Sequence, residues 1–137
     1  MCYDVDGNPK WERRLPLPEN PYGASASPIL AGELLVFNHQ GKEAYLLGVN
    51  RRDGRPVWRT DRSLFRYGWS TPVHWRHDGS TRIYIASAEG VVTVIDAGVK
   101  LNVLATNKLD GAILATPALA AGNIYVRTES HLYAFGK

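Results

Sequence analysis

The 137-residue chain has one cysteine, Cys2, and one methionine, Met1. A single thiol excludes a disulfide within the chain and leaves the redox compartment unread. No apolar run approaches the ~18 residues of a membrane-spanning helix. The first residues lack the basic and apolar regions of a signal peptide, which says nothing about the compartment if the chain is part of a longer one. Charge of one sign is also scarce. Lys and Arg number 16 against 13 Asp and Glu, a formal net charge of +3. So small an excess does not by itself indicate nucleic acid or a membrane surface. No segment reads as a helix. The glycines are scattered at turns rather than gathered in a phosphate-cradling loop, and the serines sit in turns with no nucleophile elbow around them.

What the chain does have is a repeat of roughly 45 residues. Ala26-Ser27-Pro28-Ile29, Ser70-Thr71-Pro72-Val73 and Ala115-Thr116-Pro117-Ala118 are three copies of a small–hydroxyl–Pro–apolar pattern. A second landmark keeps step: Asp6-Gly7-Asn8-Pro9-Lys10-Trp11 returns as Asp53-Gly54-Arg55-Pro56-Val57-Trp58. A period of ~40–50 residues holding several short strands is the mark of a β-propeller blade.

The strands can be placed within each period. The Pro pattern opens strand A. Leu34–Phe37, Ile83–Ala86 and Ile124–Val126 form strand B after turns at Gly32, Gly79 and Gly122. Ala44–Val49, Val91–Ile95 and His131–Phe135 form strand C, reached through polar hairpin turns. Strand D follows Gly7, Gly54 and Gly98 and ends near Trp11, Trp58 and Leu104. The expected fold is all-β, a propeller fragment of about three four-stranded antiparallel blades. Residues 1–14 hold the end of C and all of D from a partial blade. Residues 24–60 and 70–106 are full blades, and 115–137 supply A, B and C of the last. The stretch Leu15–Pro21 is proline-rich and reads as a stiff inter-blade connection. The chain thus enters in mid-blade and ends as a closing blade would.

At the C–D turns the sequence resembles the pyrroloquinoline-quinone-like (PQQ-like) propeller repeat family, whose blades carry Ala-x-Asp-x-x-Thr-Gly-x-x-x-Trp. Gly48-Val49-Asn50-Arg51-Arg52-Asp53-Gly54 through Trp58 follows it, with Gly for Ala, Asn for Asp and Asp for Thr. Cys2 through Trp11 follows with one residue deleted, and Val94-Ile95-Asp96-Ala97-Gly98 keeps the Asp and Gly with Leu104 near the tryptophan position. The resemblance implies that Trp11 and Trp58 dock on the next blade, with Gly7, Gly54 and Gly98 at the turns. The physical reading agrees: a short polar residue followed by Gly supplies a positive-φ turn, and an indole brings large apolar area with one N–H to place. Such repeats occur in quinoprotein alcohol dehydrogenases and in a lipoprotein subunit of the bacterial outer-membrane assembly machine. A periplasmic or other extracytoplasmic setting is therefore what the resemblance implies.

Two functions follow. The first is a non-catalytic scaffold for a protein or peptide partner or for further blades, with no cofactor. The alternative is a fragment of a PQQ-dependent dehydrogenase, where the resemblance implies a quinone on the propeller axis over a tryptophan floor, often under a vicinal disulfide, with Ca²⁺ held by Glu, Asn and Asp. One cysteine cannot make that disulfide, and Asp53 and Asp96 belong to the turn motif, where Asp is expected anyway. His74-Trp75-Arg76-His77-Asp78 looks like a metal cluster, but residues three apart on a strand face opposite sides. No catalytic, cofactor or metal residue is assigned.

The richest local composition runs from Arg51 to His77, with seven arginines among Trp58, Phe65, Tyr67, Trp69 and Trp75. Arg with aromatics is the make-up of binding hot spots and of single-strand nucleic-acid platforms. It is equally the make-up of Arg stems covering aromatic rings in a connection. The expected contact surface is Phe65, Arg66, Tyr67 and Trp69, since loops carry binding more often than strands. Nucleic acid is not the expected partner. Three blades are too few to close, so the isolated chain should expose sheet edges and self-associate, or else exist only within a longer propeller.

Overall fold

The computed structural model describes residues 1–19, 23–64, 68–77 and 79–136. Among these there are thirteen strands and no helix. The partial blade is the hairpin β1 (Cys2–Tyr3) and β2 (Pro9–Trp11). Blade one is the meander β3 (Ile29–Ala31), β4 (Leu34–His39), β5 (Tyr45–Asn50) and β6 (Pro56–Asp61). Blade two repeats it with β7 (Val73–His77), β8 (Ser80–Ala86), β9 (Val91–Asp96) and β10 (Val103–Lys108). Blade three has β11 (Ala118–Ala120), β12 (Asn123–Arg127) and β13 (Leu132–Phe135), so its sheet has three strands. All pairings are antiparallel between strands adjacent in sequence. The tight A–B turns work because Gly32, Gly79 and Gly122 take φ of 61°, 78° and 76°, a region most side chains avoid.

The hydrophobic core is layered between blades. Ala31, Leu34, Val36 and Leu46 of blade one meet Ile83, Ile85 and Ile95 of blade two. The other face of blade two, with Tyr84, Ala86, Val92 and Val94, meets Ile113, Ile124 and Val126. Tyr45, Leu47 and Val49 turn the opposite way and receive Trp11 and Leu15. The middle strands of blades one and two are therefore apolar on both faces, as a sheet packed on both sides requires.

The inner strands are tied together by the hydroxyls of the Pro motif. Thr71 Oγ1 accepts the backbone N–H of Ser27 at 3.1 Å, and Thr116 Oγ1 accepts that of Thr71 at 3.0 Å. The repeated hydroxyl before proline is thus an inter-blade rung, a reason the bare pattern did not supply.

The turn motif links neighbouring blades through its indoles. Trp11 Nε1 donates to Arg51 O at 3.0 Å, and Trp58 Nε1 donates to Gly98 O at 3.2 Å. Each indole thus reaches the C–D turn of the following blade. Gly7 and Gly54 have φ of 83° and 69°. Gly98 departs from this: it is not among the positive-φ residues, and it contributes its carbonyl rather than a left-handed turn. Trp58 is half-buried, on the rim of the first core cluster.

One assignment shifts by a residue. Each outer strand carries a bulge that skips Lys10, Val57 and Leu104 in the register. Trp11 and Trp58 pair with Cys2 and Gly48, and the residue in the same register of blade two is Ala105, opposite Val94. Leu104 instead sits in the bulge, 46% exposed.

Candidate functional site

In a four-stranded meander the B–C hairpins and the D-to-A connections lie at one end, and the A–B and C–D turns at the other. The tryptophans and the motif glycines occupy the second end. The first end carries the long connections, and several large apolar side chains are exposed on it. Leu17, Leu64 and Leu114 are 89%, 83% and 55% exposed, and Trp69 is 40% exposed. Leu17 and Leu64 follow Trp11 and Trp58 by the same six residues, so the first two are repeat-equivalent. Leu114 lies in the third connection, beside Ile113, which is fully buried and anchors that segment.

A buried polar network holds the second connection in place. Arg62 donates from Nη1 to Asn38 Oδ1 at 2.7 Å, and Asn38 donates from Nδ2 to Ser70 O at 3.3 Å. The Arg62 N–H also bonds Ala44 O at 2.8 Å, extending the β5–β6 ladder by one step. Burial of this guanidinium lowers its pKa to about 10, partly opposed by the charge of Glu89. Both ends of the 62–70 segment are therefore pinned to blade one's B–C hairpin, and Leu64 and Trp69 stand between or beside those pins. At the segment's start, Asp61 accepts hydrogen bonds from the Ser63 hydroxyl at 2.6 Å and its N–H at 3.2 Å. These bonds hold the Asp61 carboxyl below its ordinary pKa.

The first connection is fixed differently. Pro16 O accepts a hydrogen bond from His39 Nε2 at 3.1 Å, which makes that nitrogen the protonated one. The imidazole stacks on Tyr45 with centroids 4.3 Å apart, and Arg59 covers the Tyr45 ring at 4.0 Å. Burial raises the Tyr45 pKa, against the opposing pull of Arg59. Between the proline-rich stretch and β4 lies a groove of about 180 Å³, lined by Leu15, Leu17, Ala26, Phe37 and His39 among others.

Of the expected contact surface, Trp69 is on this end and exposed. Phe65, Arg66 and Tyr67 lie outside the described residues. The arginines that sequence reading grouped with them divide. Arg51 and Arg52 pair with Glu33, and Arg55 with Asp53, at the opposite end of the blade. Arg59 covers a tyrosine and Arg62 is buried structure. The exposed leucines were missed, because single leucines in non-alternating segments carry no signal until their exposure is known.

The alternative, a calcium–quinone site, can be tested against the side chains. Asp53 Oδ1 accepts the Arg55 N–H at 3.0 Å and its other oxygen faces the Arg55 guanidinium at 3.6 Å. Cys2 is on an outer-blade hairpin rather than an inner strand. Among the described residues no three His, Cys, Asp or Glu side chains come together as metal ligands would. His74 lies exposed on β7, and Asp78 is outside the described residues. Asp53 is thus engaged within its own turn.

Comparison with known proteins agrees with the geometry. None of the curated proteins compared matches the chain. Among solved structures, BamB from Moraxella catarrhalis aligns with a TM-score of 0.71 at 19% sequence identity, over 95% of this chain and 37% of that one. The chain therefore spans little more than a third of that protein's length, and at this identity the likeness establishes the propeller fold. A family model described as outer membrane protein assembly factor BamB matches residues 2–137. With nearly every residue inside that match, the chain belongs to this BamB-like family of PQQ-repeat β-propellers.

Proposed function

We propose that the chain is a non-catalytic interaction scaffold, and that it binds a protein or peptide through the end bearing the D-to-A connections. The observation that carries this is the exposure of Leu17, Leu64, Trp69 and Leu114 on connections whose backbones are pinned from beneath. Exposed apolar groups on a fixed frame lose little entropy on binding, which is what a docking surface needs. Aromatic and aliphatic anchors with polar surroundings are the usual centre of such surfaces. The description of the family suggests a partner engaged in assembling outer-membrane proteins in the bacterial envelope.

The test is cross-linking of the full-length protein in envelope preparations. The protein that cross-links to wild type should be lost from a Leu17→Ser/Leu64→Ser/Trp69→Ala variant with an unchanged denaturation midpoint. Retained capture by that variant, with loss on altering Arg52 and Arg55 at the opposite end, would move the interface. A quinone absorbance and dye reduction after adding PQQ and Ca²⁺ to full-length protein would replace the scaffold reading by the dehydrogenase one.

A further inference from the structure

Two departures from the repeat meet in blade one. The first is Arg62, which follows Trp58 by the same four residues as Leu109 follows Ala105 and Leu15 follows Trp11. The backbone confirms the first equivalence: Arg62 N–H bonds Ala44 O and Leu109 N–H bonds Gly90 O, in each case the residue just before strand C. Leu15 and Leu109 both pack against core clusters, so the position is apolar in the first and third connections. Only the second puts a guanidinium there, and it is 9% exposed.

The second departure is in the B–C hairpin. Ile29 pairs with Val36 as Val73 pairs with Tyr84, so Asn38, His39 and Gln40 correspond to Ala86, Ser87 and Ala88. Blade two builds its hairpin from three small residues where blade one has two amides and an imidazole. Its counterpart of the Asn38–Arg62 pair is Ala86 with Leu109, which share one core cluster. Burying Arg62 against Asn38 costs desolvation that the alanine–leucine pair avoids. The polar pair is therefore not what the blade needs in order to pack.

Alternation along β4 sends these side chains two ways. Asn38 shares the face of Val36, toward blade two, where it accepts from Arg62 and donates to Ser70 O of the second connection. His39 shares the face of Phe37 and donates to Pro16 O of the first connection. Its Nδ1 is enclosed and has no hydrogen-bond partner among the described residues, so no competing bond turns the ring away from Pro16. Gln40 accepts the Ser25 hydroxyl of the first connection at 3.4 Å, and its amide lies beside Gly68 of the second. One hairpin thus holds both connections, through contacts that all lie within residues 16–70.

We propose that Asn38, His39 and Arg62 are positioning residues of the contact surface. They keep Leu17 on the first connection and Leu64 and Trp69 on the second at one fixed spacing, so that a single partner engages both connections at once. Anchors already held at the right separation need not be ordered on binding, which is how a buried polar pair of no use to packing strengthens a contact. The inference rests on the scaffold reading for what these connections meet; the spacing itself stands on the hairpin.

The test gives blade one the residues that blade two already uses. Asn38→Ala with Arg62→Leu installs the alanine–leucine pair, and His39→Phe keeps the stack on Tyr45 while removing the bond to Pro16 O. Neither variant alters an exposed leucine. Nitroxide labels on Leu17→Cys and Leu64→Cys, in a Cys2→Ser background of the full-length protein, report the spacing by pulsed electron spin resonance. The unaltered hairpin should give one narrow distance. Each variant should widen the distribution about twofold or more with an unchanged urea midpoint, as local loosening without global unfolding requires. Cross-linking to the protein captured by wild type should fall about fivefold or more in the unlabelled variants. A broad distribution with the hairpin intact, an unchanged width in both variants, or a midpoint that falls in both would overturn the proposal. So would undiminished cross-linking in these variants when the leucine and tryptophan variant has lost it. Widened distances with cross-linking that ignores that variant too would instead fail the surface reading and leave the positioning in place.

Discussion

Trp58 lies over Gly48 of the neighbouring strand so closely that the glycine has no space for a methyl group, and its indole N–H reaches across to Gly98 O in the next blade. One side chain thus packs within its own sheet and fastens two blades. Trp58→Ala should lower stability by about 3 kcal/mol, near the low end for tryptophan because the ring is half-buried. Arg51→Ala, Arg52→Ala and Arg55→Ala remove exposed ion pairs and should each cost less than ~1 kcal/mol. Urea midpoints measured on the four variants check the order, and a neutral Trp58→Ala would remove the indole from the docking role.

Gly54 and Trp11 should be energetically coupled. Gly54 has φ of +69°, and a Cβ there would stand 2.5 Å from Trp11 Cε3. Gly54→Ala carries both a conformational penalty, on the order of 1 kcal/mol, and a clash with the ring. In a Trp11→Ala background only the first remains. A double-mutant cycle should therefore give a coupling of ~1 kcal/mol or more, and additivity would mean that the ring does not rest on the turn.

The rung between inner strands predicts a smaller effect. Thr71→Val keeps the shape of the side chain and deletes the oxygen that accepts the Ser27 N–H. The site is exposed, so water can replace the lost partner, and the expected cost is about 0.5–1 kcal/mol. Amide exchange at Ser27 should accelerate in the variant while exchange in β8 and β9 stays slow; an unchanged Ser27 rate would show that the rung is not formed in solution.

Acid should loosen the second connection through Asp61. Its carboxyl sits below the ordinary value because the Ser63 hydroxyl and N–H favour the charged form. A folded-state pKa below the unfolded one means the contribution is present above the ordinary carboxylate range and is lost as pH falls through the folded value. Ser63→Ala should shift the Asp61 titration, followed by carboxyl NMR, back toward the ordinary value. A titration that stays in place would assign the depression to other groups.

The repeat made the blade order legible in advance, because proline, glycine and tryptophan punctuate each period at positions that backbone geometry dictates. The A–B turns at Gly32, Gly79 and Gly122 fall where those residues point. Register was less legible. The bulge that skips Val57 and Leu104 adds one residue to the outer strand, and spacing counted from Gly98 cannot reveal it, so Ala105 rather than Leu104 aligns with the tryptophans. The binding surface was least legible. A run of arginines reads alike whether it pairs with Glu33, covers Tyr45 or is buried with Asn38, and only the fold separates these.

The hydroxyl rungs have a consequence for how such a chain can be lengthened or shortened. Ser27, Thr71 and Thr116 occupy one chemical position, and each rung joins a residue to its own counterpart one period later. Excising a whole period from the gene would bring the Ser27 amide to the Thr116 hydroxyl, a bond of the same kind. Inserting a period would add one more rung without altering those on either side. Recombination in register is thus nearly silent to the backbone, whereas a break out of phase severs rung, indole and turn together. The spacing of these residues makes blade number a quantity that gene duplication can change.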